Sequence, residues 1–219
     1  MTADLFSSRE PQPRIEPLAT GAVILRGFAL DAEEKLNAEF EAVVNEAPFR
    51  HLITPGGHTM SVAMTNCGAA GWVSDRRGYR YDTHDPLSGK QWPAMPKAFL
   101  TLAKDAAWRA GYGSYAPNVC LINLYAPGSR LTLHQDKDEL DYSQPIVSVS
   151  LGLPAKFIFG GLERTDKALR TILHHGDVVV WGGPSRLAYH GVDTLKDGIH
   201  PVLGRRRVNL TFRSAVLTA

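Results

Sequence analysis

Two short triplets of histidine and aspartate in the sequence have a spacing that could bind a metal ion. They are the His-Gln-Asp of residues 134–136 and the His-Gly-Asp of residues 175–177. Because alternate residues of a β-strand point to the same face, such a triplet on a strand directs both side chains toward one place. A second histidine from a distant strand would complete a 2-His-1-carboxylate site, which binds iron(II) and leaves positions open for substrate and O₂.

The surroundings of the two triplets favour the first as the metal site. Gly176 lies between two apolar stretches, so residues 175–177 are typical of a tight turn, and a turn does not aim two side chains into one site. His134 and Asp136 instead end a predicted strand, and His190 is the best third ligand. The triplet alone leaves the alternative of a solvated acidic loop open. In the metal interpretation, Glu139 and Asp141 face solvent.

The last predicted strand, residues 207–213, alternates strictly between polar and apolar side chains. Its polar face carries Arg207, Asn209, Thr211 and Arg213, and its apolar face carries Val208, Leu210 and Phe212. One interpretation is a half-exposed strand with its polar face in water. The other is a pair of arginines reaching into a barrel, where they would bind a carboxylate. A small dicarboxylate that chelates the metal at one end needs such a cationic anchor at the other.

Two helices and several strands are predicted before residue 118. Asp31 and Glu34 have capping-box spacing at the start of a helix whose apolar face is Leu36, Phe40, Val43 and Val44, and Pro48 ends it. A second helix begins at Pro96 and ends at Gly111. Strands are expected at 21–28 and 59–65. Residues 67–93 lack a clear period and are predicted to be irregular, as binding loops and lids often are.

From residue 118 onward the pattern is one of short strands separated by turns. The predicted strands are 118–125, 131–135, 146–153, 156–159, 170–174, 177–181, 186–192 and 207–213. Eight short strands with regular turn signals are typical of a two-sheet jelly roll. The predicted fold class is therefore mainly β (α+β), with helices in the N-terminal part.

Composition indicates a globular protein and leaves its partners open. The chain has 219 residues, of which 44% are hydrophobic and 21% charged, as is usual for soluble domains. Cys67 and Cys120 form no spacing motif, and no apolar run would span a bilayer, so we expect a cytoplasmic protein with no membrane partner. Residues 50–110 combine excess basic charge with the aromatic residues Trp72, Tyr79, Tyr81 and Trp92, which would suit a nucleic-acid surface. On charge alone, an ordinary surface with uneven charge is the more common explanation.

Several motifs together resemble one known family. They are TPGG at 54–57, MSVAMTNC at 60–67, NLYAPG at 123–128, LHQDKD at 133–138, VSVSLG at 147–152, GDVVVWGG at 176–183, YHG at 189–191 and RVNLTFR at 207–213. The chain is similar along nearly its whole length to the AlkB family of iron(II)- and 2-oxoglutarate-dependent dioxygenases that repair alkylated DNA. This resemblance is far more specific than a single His-x-Asp triplet.

The resemblance implies a fold and a set of site residues. It implies a double-stranded β-helix (jelly-roll) core at about 115–213, a nucleotide-recognition lid at about 50–93 and one catalytic domain at 18–219. Residues 1–17 match none of the motifs, and their polar, proline-rich sequence predicts a flexible tail. The metal ligands would be His134, Asp136 and His190. The residues binding 2-oxoglutarate would be Asn123, Tyr125, Arg207, Asn209 and Arg213. The residues binding the damaged base would be Thr54, Met60, Trp72, Tyr79, Asp138 and Arg164.

The resemblance also implies the reaction. A monomeric enzyme would use Fe(II), 2-oxoglutarate and O₂ to remove N-methyl groups from 1-methyladenine and 3-methylcytosine, in single-stranded DNA, as a base flipped from a duplex, or in RNA. Such bases carry positive charge and a blocked pairing edge, so they leave the stack readily. Two alternatives are a related hydroxylase acting on protein or a small molecule, and a non-catalytic jelly-roll binding protein.

Overall fold

The structure, a computed structural model, describes residues 14–215. The strands within this range are β1 Ile15–Ala19, β2 Ala22–Leu25, β3 Arg50–Ile53, β4 Thr59–Gly68, β5 Gly71–Asp75, β6 Gly78–Asp82, β7 Val119–Tyr125, β8 Leu131–His134, β9 Ile146–Gly152, β10 Ala155–Phe159, β11 Leu169–Leu173, β12 Val178–Trp181, β13 His190–Val192 and β14 Arg207–Arg213. The helices are α1 Glu33–Glu46 and α2 Lys97–Arg109. No helix in this part of the chain is long and apolar enough to cross a membrane.

Most strands belong to two sheets that face each other. The larger sheet has the order β1-β2-β12-β9-β14-β7-β4-β3, and the smaller has the order β11-β10-β13-β8. Aromatic and aliphatic side chains of both sheets, among them Tyr125 and Trp181 from one and Phe157 and Phe159 from the other, join a single buried cluster. The expected jelly-roll architecture is confirmed, with its interior between the two sheets.

The two helices cover the outer face of the larger sheet. Phe40 of α1 and Phe99 of α2 are buried in one cluster with the apolar side chains of β14. The rings of Phe99 and Phe212 meet edge to face, with centroids 6.0 Å apart. The alternation of β14 therefore has a physical cause, because its apolar side chains pack under the helices while its polar side chains point between the sheets.

Residues 67–93, predicted to be irregular, contain a β-hairpin. Strands β5 and β6 pair antiparallel over their whole length and form a separate two-stranded sheet. The turn from Asp75 to Gly78 is stabilised by the Asp75 carboxylate, which accepts hydrogen bonds from the backbone and guanidinium of Arg77. Gly78 has φ +121, a conformation that side chains with a Cβ rarely adopt. The prediction was wrong because the two strands have five residues each and mix glycine, aromatic and polar side chains without a clear period.

Other boundaries also differ from the sequence prediction. Residues 15–17, assigned to a tail, form part of β1, which pairs with β2 through its backbone, while residues 1–13 lie outside the described range. Asp31 does not cap α1, because a 3₁₀ turn at Leu30–Ala32 precedes the helix. The strand predicted at 186–192 is shorter and includes only His190–Val192, which is β13. A second 3₁₀ turn at Gly183–Ser185 continues as a turn through residues 186 and 187. Strands β3 and β4, within the predicted lid range, extend the larger sheet.

Candidate metal centre and active site

Three possible metal ligands meet at the open edge of the smaller sheet. His134 ends β8 and His190 begins β13, and these two residues are paired directly across the two strands. Asp136 follows β8 by two residues. The Nε2 atom of His134 lies 3.7 Å from Asp136 Oδ1, and the Nε2 atom of His190 lies 3.8 Å from Asp136 Oδ2. One donor atom from each residue lies within 4.8 Å of the other two.

The hydrogen bonds of both histidines leave the same nitrogen free. Nδ1 of His134 lies 2.9 Å from the carbonyl oxygen of Thr132, and Nδ1 of His190 lies 3.0 Å from that of Ala188. A carbonyl oxygen only accepts, so each Nδ1 must donate its proton, and each neutral ring keeps the lone pair on Nε2. Backbone contacts of this kind orient imidazole ligands in metal sites. Both Nε2 atoms point at the Asp136 carboxylate.

The charge states of the group also suit a metal ion. Burial lowers the pKa of His190 to about 4, so its ring is neutral at pH 7. Burial alone would raise the pKa of Asp136, but the Arg213 guanidinium, followed by the two histidines, outweighs it and holds that pKa well below its usual range. Nε and Nη2 of Arg213 donate to Asp136 Oδ2 over 2.9 and 2.6 Å. The site therefore offers the neutral imidazole of His190, the imidazole of His134 and one carboxylate.

The second His-x-Asp triplet has a structural role. The Asp177 carboxylate accepts hydrogen bonds from the backbone nitrogens of Gly27 and His174 and from the guanidinium of Arg26. Nδ1 of His175 accepts from the backbone nitrogen of Gly152. Gly176 has φ +83, as a tight turn requires. Within residues 14–215, the group of His134, Asp136 and His190 is the one whose donor atoms converge.

A buried cation lies deeper between the sheets. The side chain of Arg207 is 1% exposed, and its guanidinium lies over the Tyr125 ring, 4.8 Å from the centroid. Its Nη2 donates to Ser150 Oγ over 3.0 Å, whereas Nε and Nη1 have no hydrogen-bond partner among the described residues. Burial lowers the pKa of Arg207. A buried guanidinium with two free donors is costly unless an anion pairs with it.

Amide and hydroxyl groups line the space beside this cation. Asn209 donates to Ser148 Oγ over 2.8 Å and accepts from Asn123 over 3.2 Å and from Thr211 over 3.0 Å. The Oδ1 atom of Asn123 is buried and has no partner among the residues described. These groups and the metal-binding group line one cavity of about 820 Å³. The cavity thus fits a small dicarboxylate that reaches from the arginine to the metal, which is how 2-oxoglutarate would bind alongside iron.

Aromatic and acidic side chains form the mouth of the same cavity. The rings of Trp72 and Tyr79 are stacked, with centroids 5.5 Å apart and an interplanar angle of 13°. Nε1 of Trp72 donates to Asp138 Oδ2 over 2.7 Å. Arg164 places its guanidinium over the Tyr189 ring, 5.8 Å from the centroid. The cavity lining includes every predicted site residue, Thr54 and Met60 among them.

The sequence did not identify a buried ionic network behind the metal-binding group. Glu139, expected to face solvent, is 5% exposed, and its carboxylate contacts Tyr81, Arg186 and Arg213. The expectation was wrong because these partners lie far along the chain and leave no local signal. Tyr81 was identifiable in principle, since in a hairpin it shares a face with Tyr79, two residues before it.

Comparison with known proteins places the chain in a family. Residues 21–213 match the model of the 2OG-Fe(II) oxygenase superfamily. The chain is 58% identical over 212 residues to the alpha-ketoglutarate-dependent dioxygenase AlkB of Salmonella typhimurium, covering 97% of each protein. It is 31% identical over 121 residues to the human nucleic acid dioxygenase ALKBH1, covering 55% of this chain and 31% of that protein.

A solved structure supports the same assignment. The structure of OsALKBH1 superposes with a TM-score of 0.79 at 31% sequence identity, covering 91% of this chain and 99% of that one. Members of this superfamily depend on Fe(II), 2-oxoglutarate and O₂, and the converging donors and the buried cation in the cavity fit that requirement. The chain therefore belongs to the AlkB family of 2OG-Fe(II) oxygenases and is a 2-oxoglutarate-dependent dioxygenase.

Proposed function

We propose that the chain removes methyl groups oxidatively from N-alkylated nucleic-acid bases, with 1-methyladenine and 3-methylcytosine as its substrates. The observation that carries this proposal is the mouth of the cavity, where the Trp72 ring and the Asp138 carboxylate stand beside the metal-binding group. An aromatic face stacks on any base, and a carboxylate favours a base made cationic by methylation. The relatives named as AlkB and as a nucleic acid dioxygenase support the same substrate class.

Each part of the cavity has a proposed role in this reaction. His134, Asp136 and His190 hold Fe(II), and when bound the metal with 2-oxoglutarate and O₂ supplies the oxidation of the N-methyl carbon, as 2-oxoglutarate becomes succinate and CO₂. The hydroxylated methyl group then leaves as formaldehyde and restores the base. Arg207 pairs with the distal carboxylate of 2-oxoglutarate, with Asn123, Tyr125 and Asn209 beside it. Arg213 steadies the end that chelates the metal.

The base is proposed to enter from the rim and lie between Trp72 and His134. Stacking on an aromatic ring is worth about 1–3 kcal/mol per base. Asp138 binds the cationic base, Arg164 and Tyr79 flank it, and Thr54 and Met60 line the entrance. One chain supplies all of these residues, so we propose that the enzyme acts as a monomer. A nucleic-acid substrate is also consistent with the expected cytoplasmic location.

An aerobic assay tests the proposal. The protein is incubated with Fe(II), 2-oxoglutarate and matched single-stranded DNA, duplex DNA and RNA oligonucleotides that each carry one 1-methyladenine. Formaldehyde release and restored adenine are measured, and His134→Ala serves as the inactive control. Formation of succinate without repair of any oligonucleotide would show turnover of 2-oxoglutarate and would contradict demethylation of 1-methyladenine. Absence of both products would contradict catalysis.

A further inference from the structure

Two side-chain hydrogen bonds connect the β5–β6 hairpin to the segment that follows β8. Trp72 and Tyr81 are paired directly across the hairpin. The Trp72 indole donates to Asp138 Oδ2, and the Tyr81 hydroxyl donates to Glu139 Oε1 over 2.6 Å. Asp138 is exposed, whereas Glu139 is buried. The second bond lies in a low-dielectric environment, where a hydrogen bond to a charged group is strong.

Glu139 continues this connection toward the metal-binding group. Nη2 of Arg186 donates to Glu139 Oε2 over 3.0 Å, and Nε of Arg213 lies 3.3 Å from Glu139 Oε1. The same Arg213 makes two hydrogen bonds to Asp136 Oδ2. Nη1 of Arg186 donates to the backbone carbonyl of Asp136 over 2.8 Å. Tyr81 is thus joined to Asp136 through one carboxylate and two guanidinium groups.

Arg213 is shared between the carboxylates of Asp136 and Glu139, so a change at Glu139 alters how Arg213 binds Asp136. Oε1 of Glu139 accepts from Tyr81 and also contacts Arg213. Loss of the Tyr81 bond would leave this oxygen one donor short, and a buried carboxylate recovers the loss by moving toward its remaining cations. Arg213 would then bind Glu139 more closely and Asp136 less well. The orientation of Asp136 therefore depends on whether the hairpin is docked.

We propose that Tyr81 and Glu139 are positioning residues that couple docking of the β5–β6 hairpin to the geometry of Asp136, so that metal binding and hairpin docking favour each other. This coupling is reciprocal by thermodynamic necessity. It rests on the proposed role of Asp136 as a metal ligand. Because the same hairpin carries Trp72, which is proposed to stack on the base, a bound base and a bound metal stabilise one another through Glu139.

The test compares Tyr81→Phe with a matched control, Tyr112→Phe. Each substitution removes one phenolic hydroxyl, and the Tyr112 hydroxyl donates to the carbonyl of Gly21 over 2.7 Å, away from the cavity. Mn²⁺ is titrated without O₂, in the presence of 2-oxoglutarate, and free Mn²⁺ is followed by electron paramagnetic resonance. We expect Tyr81→Phe to weaken Mn²⁺ binding about fivefold or more, and Tyr112→Phe to leave it unchanged.

Hydrogen–deuterium exchange of residues 71–82 gives a second readout. In the unmodified protein, Mn²⁺ with 2-oxoglutarate should slow exchange in this hairpin, and Tyr81→Phe should reduce the slowing. If saturating Mn²⁺ leaves hairpin exchange unchanged in the unmodified protein, the coupling does not exist. If Tyr81→Phe speeds exchange but leaves Mn²⁺ affinity intact, Tyr81 only fastens the hairpin and the proposal is wrong.

A double-mutant cycle separates coupling from a general loss of stability. Since Tyr81 is proposed to act through the Glu139 carboxylate, the effect of Tyr81→Phe on Mn²⁺ affinity should shrink in a Glu139→Gln background, to less than about twofold. An undiminished effect would show that Tyr81 acts by another route. None of these measurements contains nucleic acid, so the coupling can fail while base demethylation stands, and the reverse also holds.

Discussion

Arg207 lies in an environment that is unusual for an arginine. Its guanidinium is buried with two free donors, so in the absence of an anion it opposes folding. We expect Arg207→Met to keep or raise the thermal midpoint without 2-oxoglutarate. The variant should lose the rise in midpoint that 2-oxoglutarate gives the unmodified protein, and its KM for 2-oxoglutarate should increase about tenfold or more. Thermal unfolding with and without the co-substrate checks both.

An unchanged affinity for 2-oxoglutarate would contradict this assignment of Arg207. Arg109→Met is a suitable control, since Arg109 is an exposed arginine on α2. That substitution should alter neither the midpoint in the absence of 2-oxoglutarate nor its response to the co-substrate.

Asp138 is expected to select the charge of the base without binding the metal. Asp138→Asn keeps an oxygen that can accept from Trp72 but removes the negative charge. The carboxylate is exposed, so its attraction for a cationic base is screened by water. We therefore expect the preference for 1-methyladenine over a neutral methylated base to fall by about tenfold at most, as kcat/KM ratios would show. Mn²⁺ affinity should stay within about twofold, and loss of Mn²⁺ binding would instead make Asp138 a ligand.

The lowered pKa of His190 predicts how the stability of the metal-free protein depends on pH. The unfolded chain takes up a proton on this residue as the pH falls through 6.5, whereas the folded ring stays neutral until about pH 4. With respect to His190, the free energy of unfolding is therefore highest above pH 6.5 and decreases as the pH falls toward 4. The decrease amounts to about 3 kcal/mol.

Urea unfolding of the metal-free protein between pH 7.5 and 4.5 measures this dependence. His190→Gln cannot titrate, so its stability should fall less steeply over the same range. His58→Gln, at an exposed position, should follow the unmodified protein. Parallel curves for all three proteins would show that His190 does not titrate abnormally.

At the scale of elements, the close pairing of β8 and β13 sets the distance between the two histidines. Gly191 follows His190, and a Cβ added there would lie 2.8 Å from the Leu131 carbonyl oxygen and 3.2 Å from the Leu133 nitrogen. Since backbone atoms of β8 cannot move aside individually, Gly191→Ala must push the strands apart. We expect Mn²⁺ affinity to fall at least about tenfold and the free energy of unfolding to fall by about 1–3 kcal/mol.

The control for this substitution is Gly160→Ala, at the end of the neighbouring strand β10. A Cβ there would meet atoms no closer than 3.4 Å, which is ordinary contact. Mn²⁺ titration and urea unfolding should find this variant close to the unmodified protein. If Gly191→Ala binds Mn²⁺ equally well, the spacing of the two strands does not control the site.

The same elements show what the sequence could and could not predict. The alternation of β14 was interpretable because helices pack on one side and the cavity lies on the other, so two different environments select two kinds of side chain. The β5–β6 hairpin was not, since residues distant in sequence complete both of its faces: Trp72 contacts Asp138, and Val73 packs with Ala47 and Trp92. Glu139 shows the same limit, as the partners that bury it lie 47 and 58 residues away along the chain.

At the scale of the whole molecule, the net charge of +2 is too small to attract nucleic acid by itself. Cationic side chains nevertheless gather at the cavity mouth, where Arg130, Lys137 and Arg164 line the rim and are exposed. If these side chains contact phosphates, binding releases counterions and weakens as salt rises.

The salt dependence of binding therefore tests whether the cationic side chains of the rim or the net charge of the protein attract the nucleic acid. Arg130→Gln should reduce the slope of the logarithm of affinity against the logarithm of salt concentration by about 0.7 for a single-stranded oligonucleotide. Arg109→Gln changes net charge equally, but Arg109 lies on α2, which covers the outer face of the larger sheet. Fluorescence anisotropy at several salt concentrations should show an unchanged slope for the Arg109 variant. Equal reductions would mean that overall charge attracts the strand, whereas a reduction confined to the Arg130 variant would locate its path along the cavity rim.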